Sequence, residues 1–171
     1  MKLFKTALFL TCIVGSASSY AESSLPDFST YPVPANEVLK ETPASVDLSS
    51  YKGAKTYKTK LQEGTRKGPN FAGHYTVVTI GCGTQCQENW VIDAKTGKIL
   101  DKVSSIIGTK YQVDSLLLIV NPADAEFKKA YEEHPDQPLL GTMDTTYEVL
   151  KEGKLDVVHK DKWVNVIKSL P

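Results

Sequence analysis

The chain is poor in cysteine and lacks any long apolar run after its first 21 residues. It has three cysteines among 171 residues, which is too few for a zinc site of four thiolates. Its basic and acidic residues balance at 20 each, so it lacks the excess positive charge of a protein that binds nucleic acid. No segment after residue 21 approaches the about 20 apolar residues that a transmembrane helix needs. The sequence therefore predicts no nucleic-acid partner and no transmembrane anchor in the mature chain.

The first 21 residues have the pattern of an export signal. Lys2 and Lys5 precede an uncharged, mostly apolar core over residues 6–15, and the small residues Ser19 and Ala21 suit a signal peptidase. We expect cleavage after Ala21, which leaves 150 of the 171 residues, with 18 basic against 20 acidic side chains once the two lysines are removed. That length is enough for one domain. The mature protein is then expected in the periplasm or outside the cell.

Export determines how the cysteines are interpreted. Cys12 lies inside the signal, so Cys82 and Cys86 are the only pair left in the mature chain. An even pair in an oxidising compartment is expected to form a disulfide. The ring that it closes is small, so on the loop-entropy model it stabilises the fold by only about 2 kcal/mol. Its main effect is local, on the conformation of the residues between the two cysteines.

The cysteine loop, which we define as residues 81–87, is the candidate site. The candidate binding residues are Gly81, Gly83, Thr84, Gln85 and Gln87 in the loop and His74 upstream of it. The two glycines allow backbone angles that other residues resist. Such a loop is either a structural corner or a preorganised surface for a partner, and the sequence leaves both open. In the second case the protein is a non-enzymatic binding domain whose partner is an envelope protein, a glycan or a small molecule.

The alternative function uses the cysteine pair for thiol-redox or copper chemistry, with Cys82 and Cys86 as the reacting or metal-binding residues. The spacing Cys-x-x-x-Cys is similar to the copper-handling site of Sco-type proteins. That family has a thioredoxin fold, and its strand–helix–strand crossover is not evident in this sequence. The usual redox spacing is Cys-x-x-Cys at the head of a helix, which lowers the thiol pKa. Zinc would need two further ligands, and no second cysteine pair supplies them.

The three histidines supply no base for a cysteine nucleophile. His74 lies eight residues before Cys82 along one apparent strand, which separates them by about 26 Å. His134 stands at the end of a predicted helix, and His159 stands near the end of a predicted strand. No Ser-His-Asp order, phosphate loop or paired-histidine motif is present. We therefore predict no catalytic residue and no cofactor, and the sequence favours a protein that is not an enzyme.

Hydrophobic periodicity predicts an α+β fold. Residues 22–53 carry four prolines and are expected to form an extended arm, which leaves residues 54–171 as a single domain. The predicted elements are a helix over 54–67, a strand over 75–80, a hairpin of 89–93 and 98–100, a central strand over 116–120, a helix with Asn121 as its N-cap and Pro122 as its first residue that ends at Pro135, a hairpin of 147–150 and 155–158, and a closing helix from Trp163. We expect an antiparallel sheet of about five or six strands with two or three packed helices.

The helix predicted over 54–67 has unbalanced charge. Its basic residues are Lys55, Lys58, Lys60, Arg66 and Lys67, and its one acidic residue is Glu63. A solvated outer face is the ordinary meaning of such a pattern. A surface that docks on anionic envelope polymers is the alternative.

Two motifs resemble those of a family of small exported bacterial proteins of unassigned function. They are Phe71-Ala72-Gly73-His74-Tyr75 and Gly81-Cys82-Gly83-Thr84-Gln85-Cys86-Gln87. The resemblance covers residues 55–121 well and the rest of the chain loosely. It implies export and a common domain, and it carries no activity, cofactor or catalytic residue. The SGxxY signature of periplasmic lysozyme inhibitors is absent.

Overall fold

The computed structural model describes residues 25–133 and 142–170. In this part of the chain the strands are β1 (Tyr75–Gly83), β2 (Cys86–Asp93), β3 (Ile99–Ser105), β4 (Thr109–Tyr111), β5 (Leu117–Val120), β6 (Asp144–Lys151) and β7 (Lys154–Lys162). The helices are α1 (Lys58–Thr65), α2 (Ala125–Glu133) and α3 (Trp163–Ser169), and short 3-10 turns lie at Phe28–Thr30, Ala35–Glu37 and Ala54–Tyr57. The predicted export signal, His134 and Pro135 lie outside the described residues.

The seven strands form two antiparallel sheets rather than one. The first sheet has the order β1-β2-β3, and the second has the order β4-β5-β6-β7. The α+β class with packed helices is confirmed, as are the predicted hairpins at 94–97 and 151–154. The difference arises at residues 106–108, where the chain leaves one sheet and enters the other within three residues. Gly108 takes a φ of +113° at this corner, a value that favours glycine.

Three of the four clusters of the described core lie along the faces of the two sheets, and the fourth lies between α2 and α3 around Trp163. Between the sheets, Val77 and Val91 of the first pack with Leu118, Val120 and Leu150 of the second. The outer face of the first sheet, with Val78, Ile80, Trp90, Ile92 and Ile99, is covered by Ala54 and Leu61. The outer face of the second sheet, with Leu117, Tyr147 and Val149, is covered by Leu25, Phe28 and Tyr31 of the N-terminal arm. Both sheets are therefore covered on each side.

The helix predicted over 54–67 is present as the 3-10 turn at Ala54–Tyr57 followed by α1. Leu61 and Thr65 are its buried residues, on the face that packs against the first sheet. Gly64 lies so close to Val78 that a methyl group in its place would collide with the valine side chain. Gly68 takes a φ of +86° just past the end of the helix, which agrees with the predicted stop.

The arm follows the domain through main-chain hydrogen bonds. Val33 N–H donates to the Asp114 carbonyl at 2.9 Å, and Ala44 N–H donates to the Ala94 carbonyl at 2.8 Å. Farther along, Asp47 N–H donates to the Gly97 carbonyl at 2.8 Å. These bonds satisfy backbone groups that an undocked arm would leave to water, so the arm is part of the folded structure from residue 25 onwards.

The prediction that Asn121 caps a helix is wrong. The helix α2 begins four residues later, and Asp124 accepts a hydrogen bond from Phe127 N–H at 3.0 Å in the manner of a cap. Asn121 instead takes a φ of +50°, and its side-chain oxygen accepts bonds from the N–H groups of Ile106 at 2.7 Å and Ile107 at 3.2 Å. Its amide also donates to the Asp144 carbonyl at 3.2 Å. The side chain therefore holds the corner between the two sheets.

We predict that Asn121→Gly lowers the free energy of unfolding by about 2 kcal/mol, because two backbone N–H groups lose their acceptor. Glycine accepts the positive φ without strain, so this variant isolates the side-chain hydrogen bonds. Urea unfolding of the variant and of the exposed control Asn36→Ala is the measurement. An Asn121→Gly protein as stable as the control would show that the corner does not depend on this side chain.

Candidate functional site

The cysteine loop is the tip of the β1–β2 hairpin. Gly81 pairs with Gln87 and Gly83 pairs with Cys86, and the register shifts by one residue at Cys82. The Cα atoms of Cys82 and Cys86 lie 5.1 Å apart, and their sulfur atoms are at disulfide distance, as the sequence predicts. The ladder of the hairpin and the sulfur contact together hold both ends of the loop.

The loop combines an exposed surface with a constrained backbone. Gly81, Gly83, Thr84 and Gln85 are all exposed, and Gln87 is half-buried. Gly83 has a φ of +139° and Gln85 has a φ of +56°. A left-handed conformation costs a residue with a Cβ about 1–2 kcal/mol. The surrounding hairpin must hold Gln85 in this conformation, so its side chain leaves the backbone in a defined direction.

His74 lies far from this loop, at the other end of β1. Its ring is buried with 7% exposure and stacks on Tyr75 with the ring centroids 4.1 Å apart. Its Nδ1 donates a hydrogen bond to the Glu37 carbonyl at 2.8 Å, and its Nε2 lies 3.8 Å from an oxygen of Asp93. The nine-residue strand keeps it from Cys82, as predicted from the spacing. The structure thus places His74 under the arm and not with the other candidate residues.

His159 is also separate from the loop. It lies on β7, opposite Tyr147 of β6, with the two ring centroids 5.5 Å apart. Within residues 25–133 and 142–170, no group of three or more His, Cys, Asp or Glu side chains is placed to hold a metal ion. In the same part of the chain, no helix has the length and apolarity to cross a membrane.

A buried polar network below the loop was not foreseen from the sequence. The fully buried Asn89 accepts hydrogen bonds on its oxygen from the hydroxyls of Thr79 at 2.8 Å and Thr109 at 3.2 Å. Its amide donates to the Ser105 hydroxyl at 3.0 Å and to the Val103 carbonyl at 3.2 Å. Four strands are joined at this one side chain. The only sequence signal was an asparagine inside an otherwise strand-like run, next to Trp90.

A charged and aromatic cluster lies on the opposite face of the same hairpin. The Lys102 ammonium bonds to one oxygen of Glu88 and lies 5.3 Å from the centroid of the Trp90 ring. The hydrogen bond that Lys102 donates to Glu88 is the largest influence on the pKa of Lys102 and raises it. Tyr51 and Tyr57 pack on Trp90 with centroid separations of 5.4 and 5.5 Å. The sequence did not indicate this cluster, because its members come from three separate segments.

Comparison with protein-family models, curated proteins and solved structures finds no match for this chain. The resemblance in the FAGHY and GCGTxCQ motifs remains a prediction.

One carboxyl group has an environment that makes stability depend on pH. Burial, together with the smaller effect of the negative charge of Asp101, raises the pKa of Glu148 to about 7. A folded-state pKa above the ordinary 4.5 means that the folded protein binds this proton more tightly than the unfolded chain. The contribution of Glu148 to stability is therefore most favourable below pH 4.5, declines as the pH rises to about 7, and is constant above it.

We predict that Glu148→Gln raises the free energy of unfolding by about 1–2 kcal/mol more at pH 8 than at pH 4.5. This value is smaller than the full pKa shift would give, because the carboxyl is partly exposed. Glutamine keeps the shape of the side chain and removes the charge. Urea unfolding at both pH values measures the effect, with the exposed Glu63→Gln as the matched control. If Glu148→Gln and Glu63→Gln changed the free energy of unfolding equally at the two pH values, the assignment to Glu148 would be contradicted.

Proposed function

We propose that this chain is an exported, non-enzymatic binding protein that holds its partner through the cysteine loop. The observation that carries the proposal is the combination of a fully exposed loop tip with positive φ at Gly83 and Gln85. A backbone held in its bound shape before contact loses less conformational entropy on binding. The paired hairpin strands and the cysteine contact hold this backbone in place before any partner binds.

The chemistry of the loop favours a polar, uncharged contact. Residues 81–87 contain no charged side chain and no large apolar one. Thr84 offers a hydroxyl, and Gln85 and Gln87 offer amides that both donate and accept hydrogen bonds. These groups suit the peptide backbone of an envelope protein, the hydroxyls of a glycan or a polar small molecule. His74 is too deeply buried to take part, so the proposal rests on the loop residues alone.

Thiol-redox or copper chemistry at the cysteine pair is the second candidate. It is favoured by the exposure of Cys82 at the tip of the hairpin. It would have to proceed without His74 or His159, because neither lies beside the pair. Within residues 25–133 and 142–170, the ligands available to copper at this pair are therefore the two thiolates.

The proposed location requires export and removal of residues 1–21. We expect the protein recovered from a periplasmic extract to have the mass of residues 22–171 with one disulfide between Cys82 and Cys86. Intact mass spectrometry with and without reductant measures both properties. The full 171-residue mass, a lipid on Cys12, or two free thiols would contradict this prediction.

Partner binding is tested by Gln85→Gly, which removes the displayed side chain and relieves the positive φ. Glu152→Gly is the matched control, because Glu152 is also exposed at a hairpin turn with a φ of +49°. We expect both variants to be more stable than the unmodified protein by about 1 kcal/mol, because glycine takes the left-handed conformation without the cost that a Cβ imposes. We expect only Gln85→Gly to lose partners captured by the immobilised protein from envelope extract. Quantitative mass spectrometry of the captured material is the measurement.

Replacing both cysteines by serine is expected to lower the free energy of unfolding by about 2 kcal/mol and to leave a folded domain with weakened capture. A pair that serves as a staple should have a reduction potential below about −300 mV. Capture unaffected by every loop variant would contradict the binding proposal. A stable one-to-one Cu(I) complex of the reduced protein, lost in Cys82→Ser, would support the second candidate instead.

A further inference from the structure

The segment of residues 51–67 is strongly basic, whereas the other residues after residue 21 carry an excess of acidic side chains. It contains six basic residues and one acidic residue, Glu63, so that 12 basic and 19 acidic residues remain in the other parts of the chain after residue 21. All six basic side chains are exposed: Lys52, Lys55, Lys58, Lys60, Arg66 and Lys67. Among the described residues, none of the six lies in an ion pair. An ordinary mixed surface would pair or intersperse such charges.

The basic segment contains two tyrosines, Tyr51 and Tyr57, which lie near a further cation, Lys102. Tyr51 and Tyr57 are half-buried at the two ends of the turn that holds Lys52 and Lys55, and both rings pack on Trp90. The Lys102 ammonium lies 5.3 Å from the centroid of the Trp90 ring, on which both tyrosines pack. The two tyrosines therefore connect the basic segment to β2, beside the cation of the edge strand β3.

Two buried polar atoms in this cluster lack hydrogen-bond partners. They are Nε1 of Trp90, whose side chain is 1% exposed, and Oε2 of Glu88. An unsatisfied buried donor or acceptor costs about 1–3 kcal/mol. Trp90 and Glu88 lie on the same face of β2, and both unpaired atoms are buried beneath the side chains that pack there. A ligand at this face would meet the exposed lysines and the half-buried tyrosines rather than these two atoms.

We propose that this surface binds an acidic polysaccharide. Its exposed lysines pair with the carboxylates of the polymer, and the rings of Tyr51 and Tyr57 contact the apolar faces of its sugars. A membrane is the less suitable anionic partner, because the exposed large apolar residues of the described chain are Val38, Val113, Val157 and Val158, none of them in residues 51–67. This surface is distinct from the cysteine loop, and the proposal stands independently of the function assigned to that loop.

Binding of the mature protein to polygalacturonate, with neutral dextran as the reference polymer, tests the proposal. Lys55→Gln combined with Lys58→Gln should weaken binding by about tenfold. It should also reduce the dependence of binding on salt, because a protein with fewer cations releases fewer counterions from the polymer when it binds. Lys151→Gln combined with Lys154→Gln is the matched control, since it removes the same charge from exposed positions on the β6–β7 hairpin. This control should bind as the unmodified protein does.

A second measurement reports on the aromatic part of the surface. Polygalacturonate fragments should change the tryptophan fluorescence of the Trp163→Phe protein, in which Trp90 is the one remaining tryptophan, and neutral dextran should not. Equal losses in the two double variants would overturn the proposal, as would unchanged tryptophan fluorescence at saturation or no binding of the polymer. Stronger binding to phosphatidylglycerol vesicles than to the polymer would assign the surface to a membrane and would overturn it as well.

Discussion

The corner at residues 106–108 is the constraint on which the two-sheet architecture depends. Each sheet alone has too few strands to bury both faces, and the corner brings them together over one shared core. Within the corner the backbone N–H groups of Ile106 and Ile107 cannot join a strand ladder, so they need other acceptors. Asn121 provides that acceptor from the far sheet, and its own N–H donates to the Gly108 carbonyl at 2.9 Å. One side chain therefore ties the connection to both sheets.

Elements that depend on neighbouring residues could be predicted from the sequence. The strand pattern at 75–80, the turn at 94–97 and the helical spacing that ends at Gly68 all depend on neighbouring residues, and the structure contains each of them. The cysteine pair was predictable for the same reason. The partition into two sheets was not, because it depends on how strands far apart in the chain pair with one another.

The contacts that sequence reasoning missed are made by polar residues within strands or directly after them. Asn121 before Pro122 fits the usual helix-cap pattern, and only its distant contacts with the corner distinguish the two roles. Asn89 and Lys102 have ordinary flanking residues, and their partners lie on other strands. The loop residues 81–87 could be identified as a candidate site, but the left-handed conformation of Gln85 could not, because glutamine rarely takes a positive φ.

The docking of the N-terminal arm has a consequence for the order in which the chain folds. Phe28 accepts a hydrogen bond from the Ser115 hydroxyl at 2.9 Å, across 87 positions in the sequence. The arm precedes partners such as Ser115 in the chain and is therefore synthesised before them. Closing so long a loop before the sheets exist gains too little to offset its entropy. We therefore expect the arm to dock in a late step of folding, after the second sheet has formed.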